Sequence, residues 1–298
     1  MVTYLQVMDE KLVRGDQTAF YSLMRKRCIN HKDFSDCIFL VGSQRQLIYG
    51  HRCLLAGRSE VFRSMFSQQP IHAVASRDSP YALPKVRPEV FLTALDYMYT
   101  NCCTLTSDLA ADVMSLAMEY GLDGLRRLCA RYLLDGLNVE TACDVLQASV
   151  IHAQPDMLQK ALDFTMRNGQ DVMKTEGFQQ LSTESLGAFL RGDSLNADEM
   201  EILNAVRRWS KNNASVTGRH IKELASPVIP LVRLPLLTPE ELTKVEEENK
   251  KDGIIPMDQL AAAWRFHALK ENTPASYSTC LRAGTTSRES HDYLPKAK

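Results

Sequence analysis

From Glu89 onward apolar residues recur almost continuously at helical spacing, whereas strand character is confined to residues 36 to 50. That contrast allows only a small sheet, followed by short helices packed as hairpins. The successive stripes are explicit. Phe91, Leu95, Met98 and Tyr99 make the first. Leu109, Val113, Leu116, Ala117 and Tyr120 follow, stopped by Gly121 as a C′ residue. Leu125, Leu128, Cys129, Tyr132 and Leu133 end near Gly136. Asn138 is read as the N-cap of the next stripe, Ala142, Val145, Leu146, Ser149 and Val150. Another helix starts near Pro155, a favourable first-turn position. Two later starts carry cap signals: Asn196-Ala197-Asp198-Glu199, read as an N-cap with a reciprocal glutamate, and Thr238-Pro239-Glu240-Glu241.

Within the strand-like stretch, Cys37-Ile38-Phe39-Leu40-Val41 and Gln46-Leu47-Ile48-Tyr49 flank a glycine-containing turn and predict a hairpin. The segment from Arg52 to Phe66 reads as two short helices, because Gly57 weakens its middle. Residues 67 to 88 contain Pro70, Pro80, Pro84 and Pro88 and predict a loop, with at most a short strand at Tyr81-Ala82-Leu83. Lys211 to Gly218 is the one polar stretch inside the globular part and reads as a linker. Residues 271 to 298 are rich in Ser, Thr and Pro without apolar period and are expected to be disordered.

The 298 residues suggest two domains of ordinary size, and an apolar content of 45 % is normal for a soluble globular chain. With 35 basic against 36 acidic residues, no bulk charge excess points to nucleic acid or a membrane surface. No apolar run approaches the roughly 20 residues that span a bilayer, and Met1 to Glu10 lacks signal-peptide character. The cytoplasm is therefore expected, with the nucleus open. The eight cysteines include no C-x-x-C pair and mostly sit in apolar patterns, as free core thiols do. Nucleotide-binding glycine loops, H-E-x-x-H and G-x-S-x-G are all missing. No catalytic, cofactor-binding or metal residue is assigned.

Several runs carry a resemblance. Asp33-Phe34-Ser35-Asp36-Cys37 leads into the hairpin, and His51-Arg52-x-Leu54-Leu55-Ala56-x-Arg58-Ser59-x-x-Phe62-x-x-Met65-Phe66 follows it. Phe91-x-x-Ala94-Leu95-x-Tyr97-Met98-Tyr99-Thr100 and Ala117-x-x-Tyr120-Gly121-Leu122-x-x-Leu125 continue the pattern. Together they resemble the BTB/POZ signature. The second half, with Asn138-Val139-x-Thr141-Ala142, Phe178-x-x-Leu181, Asp193-x-Leu195, Glu199-x-Glu201, Ala205-Val206-x-x-Trp209 and Val232-Arg233-Leu234-Pro235-Leu236-Leu237, is similar to the BACK domain. The resemblance implies an α+β BTB/POZ domain, a small sheet covered by helices, over residues 1–135. It also implies an all-α BACK domain of helical hairpins over 136–270, before the tail at 271–298.

The same resemblance implies a non-enzymatic adaptor that homodimerises through its BTB domain. Some relatives recruit protein substrates to a cullin-RING ubiquitin ligase; others are self-assembling scaffolds or transcription-associated proteins without a cullin. Both routes stay open here. Leu12, Phe20, Leu23 and Met24 would form the apolar face of the exchanged N-terminal segment, and Asp36 and Arg52 would face each other at the dimer groove. A cullin-facing loop would fall on Pro70-Ile71-His72, where ligase-type relatives carry an apolar residue, any residue, then a glutamate. His72 lacks that negative charge, so cullin contact is expected to be weak or altered.

Overall fold

A computed structural model describes residues 16–67, 80–269, 278–289 and 291. The chain divides between Leu133 and Leu134 into two compact units. The first contains α1 (Gln17–Arg27), β1 (Cys37–Val41), β2 (Gln46–Gly50), α2 (Arg52–Arg58), α3 (Glu60–Ser67), β3 (Tyr81–Leu83), α4 (Pro88–Thr100), α5 (Ser107–Glu119) and most of α6 (Asp123–Asp135). β1 is central: it pairs antiparallel with β2, Phe39 opposite Ile48, and parallel with β3, Phe39 opposite Tyr81. The hairpin turn needs left-handed backbone at Gly42 and at Arg45.

Phe39 anchors the core of this unit. It lies edge-on to Phe62 at 5.8 Å and 4.9 Å from Phe91, and Phe62 stacks on Tyr120 at 4.6 Å. The break between α2 and α3 falls at Ser59 rather than Gly57, and its cause is a cap. Ser59 adopts an extended conformation, its Oγ accepts from the Phe62 amide, and its hydroxyl donates to the Tyr120 carbonyl at 2.6 Å. α4 is buried along almost its whole length. Its Tyr99-Thr100 step does two jobs. The Tyr99 hydroxyl accepts from the His51 amide at 2.9 Å, fixing the entry to α2. The Thr100 hydroxyl donates to the Asp96 carbonyl at 2.5 Å and accepts from the Cys102 amide, so the helix stops at left-handed Asn101.

The second unit is helical: α7 (Ala142–Ile151), α8 (Pro155–Arg167), α9 (Gly169–Val172), α10 (Glu176–Gln179), α11 (Thr183–Arg191), α12 (Glu199–Thr217), α13 (Ile221–Ala225), α14 (Pro239–Asp252) and α15 (Met257–Leu269), with short 3-10 turns at Ile229–Leu231 and Leu234–Leu236. Trp209 lies in its core and donates to the Leu181 carbonyl at 2.8 Å; Phe178 and Phe189 meet edge-on.

Several elements differ from the sequence-based expectation. Lys211 to Gly218 is no linker: α12 runs through Thr217 and ends on left-handed Gly218. Its polar character reflects solvent on one side and, on the other, the Asn213 side chain donating to the Gln179 carbonyl. Asn138 does accept from the Glu140 and Thr141 amides, but in a turn before α7, whose cap is Thr141. At α12 the cap is Asp198, not Asn196, and its reciprocal glutamate is Glu201. The largest difference concerns the tail. Residues 278–289 dock on the second unit: the amides of Ala283 and Gly284 donate to the carbonyls of Asp193 and Leu195. The segment lacks apolar period because it is held by main-chain and arginine hydrogen bonds.

Candidate interaction surfaces

α1 is the first surface. Asp16 caps it, accepting from the amides of Thr18 and Ala19, and Arg25, Lys26 and Arg27 complement its C-terminal end. It rests on α4 through polar contacts. The Tyr21 hydroxyl donates to Asp96 at 3.4 Å, and Arg25 lies 3.6 Å from the same carboxylate. Burial raises the Asp96 carboxyl above its ordinary value, against the opposing pull of Arg25 and Tyr21. No residue of α1 is buried; Phe20 is 43 % and Leu23 46 % exposed, and Met24 is half-buried. Leu12 lies outside the described residues.

Asp36 and Arg52 are brought together through the backbone. The Arg52 amide donates to Asp36 Oδ1 at 2.7 Å, while the Arg52 guanidinium lies over the Phe66 ring at 5.6 Å. His51 precedes α2 without capping it by its side chain, so Asp36 caps the helix from 16 residues upstream. Asp36 is exposed in the single chain, and neighbouring Phe34 is 95 % exposed with a left-handed φ of 61°. Asp36→Ala is expected to cost about 1 kcal/mol, the usual worth of a cap, and to lower the Tm by several degrees. Arg52→Ala keeps the amide donor, so this cap should survive it. Equal melting of Asp36→Ala and the unaltered protein would remove the capping role. Pro70, Ile71 and His72 lie outside the described residues.

The third surface is the seat of the tail. The Arg282 side chain is fully buried against fully buried Glu199, its Nε donating to Oε1 at 2.5 Å. Its Nη1 and Nη2 donate to the carbonyls of Gly192 at 2.6 Å and Leu231 at 2.9 Å. The Arg233 amide donates to the second oxygen of Glu199 at 3.0 Å, and its guanidinium pairs with Asp193. Six residues beyond Arg282, Arg288 grips Asp198 with two bonds of 2.8 and 2.9 Å and Glu241 with two of 2.8 and 3.0 Å. Sequence reading missed Arg282 and Arg288, although a signal existed. Glu199 shares the spacing of Ile202, Val206 and Trp209, which puts an acid on the apolar stripe of α12, where it needs a buried cation.

Burial alone would raise the Asp198 carboxyl. The hydrogen bonds from Arg288, Thr286 and Met200, together with the Arg288 charge, outweigh it and hold the group at about 2. A value depressed below the unfolded ~3.9 gives stability that is complete above the unfolded value and lost as pH falls through the folded one. Hydrogen-exchange protection of the Ala283, Gly284 and Thr286 amides is therefore expected to fade between about pH 4 and pH 2. Arg288→Gln should flatten that dependence; an unchanged profile would discard the assignment.

Chemistry of other kinds is thinly represented. Burial pushes the thiols of Cys37, Cys129 and Cys143 up to about 12 and that of Cys103 up to about 11, so they stay protonated at neutral pH. Among the described residues no group of three or more His, Cys, Asp or Glu is placed to hold a metal, and no helix is long and apolar enough to cross a membrane.

The comparisons with known proteins follow the same division. A BTB/POZ domain model matches residues 26–137, and the BACK model, described as BTB And C-terminal Kelch, matches 142–247. The chain is 37 % identical over 284 residues to the BTB/POZ domain-containing protein 19 of Bos taurus, covering 95 % of this chain and 96 % of that protein. The Homo sapiens protein of the same name is 36 % identical with the same coverage. BTB/POZ domain-containing protein 9 of Drosophila melanogaster is 31 % identical over 263 residues, 87 % of this chain and 33 % of that protein. An α+β domain with a three-stranded sheet, a helical domain after it and similarity along nearly the whole of two relatives lead to one assignment: the chain belongs to the BTB/POZ–BACK family.

Proposed function

We propose that this chain is a protein-interaction adaptor that homodimerises through its BTB unit and holds another protein with its BACK unit. BTB and BACK are interaction domains, and α1 carries the reading further. An isolated helix of 11 residues is marginal in water, and this one buries none of its own side chains. Phe20 and Leu23 therefore need a cover, and a second copy of the same chain supplies it with closed symmetry. In that dimer Asp36 and exposed Phe34 lie where a partner subunit would cover them, and Arg52 would then share a buried groove with Asp36.

Recruitment to a cullin is the second step of the reading, through Pro70 or Ile71, with His72 in place of the glutamate of ligase-type relatives. That replacement favours weak binding and gives weight to a scaffold that acts without a cullin. Light scattering coupled to gel filtration at micromolar concentration is expected to give twice the chain mass; a clean monomer would reject the dimer. Titration calorimetry against a cullin N-terminal domain separates the two routes. A sub-micromolar dissociation constant would reject weak binding, and no detectable heat would leave the scaffold.

A further inference from the structure

We propose that the acidic seat at the start of α12 is a docking site for protein segments of the form Arg-x-Gly-x-x-x-Arg, and that the chain's own residues 278–289 fill it in cis. The manner of attachment supports this. Among residues 278–289 only Arg282 is buried, and Leu281 is 46 % exposed. The segment therefore contributes no apolar side chain to the core. Its hold consists of main-chain amides, the Cys280 carbonyl accepting from Arg233, and two guanidinium groups, which is how an extended peptide is bound on a folded surface.

The receiving groups are arranged by the helices themselves. Asp198 caps α12 through the Met200 amide, and Glu201 reaches back to the Asp198 amide. Glu241 completes the cap of α14 by accepting from the Thr238 amide at 2.8 Å. Glu199 accepts from the Arg233 amide, a bond in which the tail takes no part. The carboxylates are thus oriented before a segment arrives, and little ordering remains to be done on the receiving side.

Three positions set the recognised pattern. The guanidinium of Arg282 donates in three directions to Glu199 and to two carbonyls, a planar fork that lysine cannot reproduce. Two residues on, a Cβ at Gly284 would overlap the backbone of Asn196 and Ala197, which cannot swing aside as a side chain can. Four residues further, Arg288 makes four bonds to two carboxylates. Ala283, Thr286 and Ser287 are exposed, which leaves those positions free to vary. A partner protein carrying the same three residues at the same spacing fits the seat once the tail lifts. This inference rests on neither dimerisation nor cullin contact.

The test uses the full chain with a protease site inserted between Leu269 and Ser278. After cleavage the tail fragment should remain bound on gel filtration. An excess of a fluorescent peptide of residues 278–291 should then exchange into the seat in native buffer. Peptides carrying Gly284→Ala, Arg282→Lys or Arg288→Ala should compete about tenfold or more weakly. In the uncut chain the tethered tail, at high effective concentration, should exclude the label. The proposal is overturned if the label enters only under denaturing conditions. Exchange that ignores the three substitutions overturns it too, as does unfolding on cleavage, which would make the tail a permanent part of the core.

Discussion

Arg282→Ala is expected to destabilise the second unit by about 3–5 kcal/mol, the usual cost of stranding one member of a buried ion pair. Both side chains are fully buried, and the alanine would leave Glu199 with only the Arg233 amide on its second oxygen. The cost has a ceiling. If lifting the segment is cheaper than keeping an unpaired carboxylate covered, the segment leaves and water reaches Glu199. The two outcomes differ in what hydrogen exchange reports: protection lost across α12 in the first case, or only at residues 278–289 in the second. Glu199→Gln should cost a comparable amount, because one acceptor oxygen becomes an NH2 facing a donor and the buried guanidinium loses its counter-charge. A Tm within a degree of the unaltered protein for Arg282→Ala would contradict the burial argument.

Phe20→Glu combined with Leu23→Glu is expected to convert the proposed dimer to monomer at micromolar concentration. Each side chain is already roughly half covered, so its further burial contributes on the order of 1 kcal/mol. Forcing two carboxylates into an apolar contact adds several kcal/mol, and a weakening of about a thousandfold or more follows. Because no α1 side chain lies in the core, the circular-dichroism spectrum and the Tm of the isolated unit should change little. A dimer mass that survives both substitutions would move the interface elsewhere.

Much of the fold was readable from periodicity, because most of the elements bury an apolar face. The hairpin, the paired short helices after it and the strand at Tyr81–Leu83 follow from a compact apolar run with a glycine turn, stripe spacing and proline placement. Gly121 ends α5 with left-handed backbone, as its place after Tyr120 suggests. The failures have a common source. Ser59 and Asp198 also bond partners in distant segments, and Asn138 spends its side chain on a turn just before the helix, so local spacing locates a cap only to within a few residues. The tail failed for a stronger reason. A criterion that looks for apolar repeats cannot find a segment whose buried side chain is an arginine, and its acceptors lie 51 to 90 residues away.

That distance has a consequence during synthesis. Chains fold from the N-terminus as they are made, at about 5–20 residues per second. Arg282 is added 83 residues after Glu199, so for roughly 4 to 17 s the Glu199 carboxylate waits for its counter-ion. In the BTB unit the Tyr99–His51 and Ser59–Tyr120 bonds can close well before. A ribosome that stalls or a message cut short would release a finished first unit joined to an unneutralised second one. The late arginine thus ties neutralisation of Glu199 to synthesis having passed residue 282.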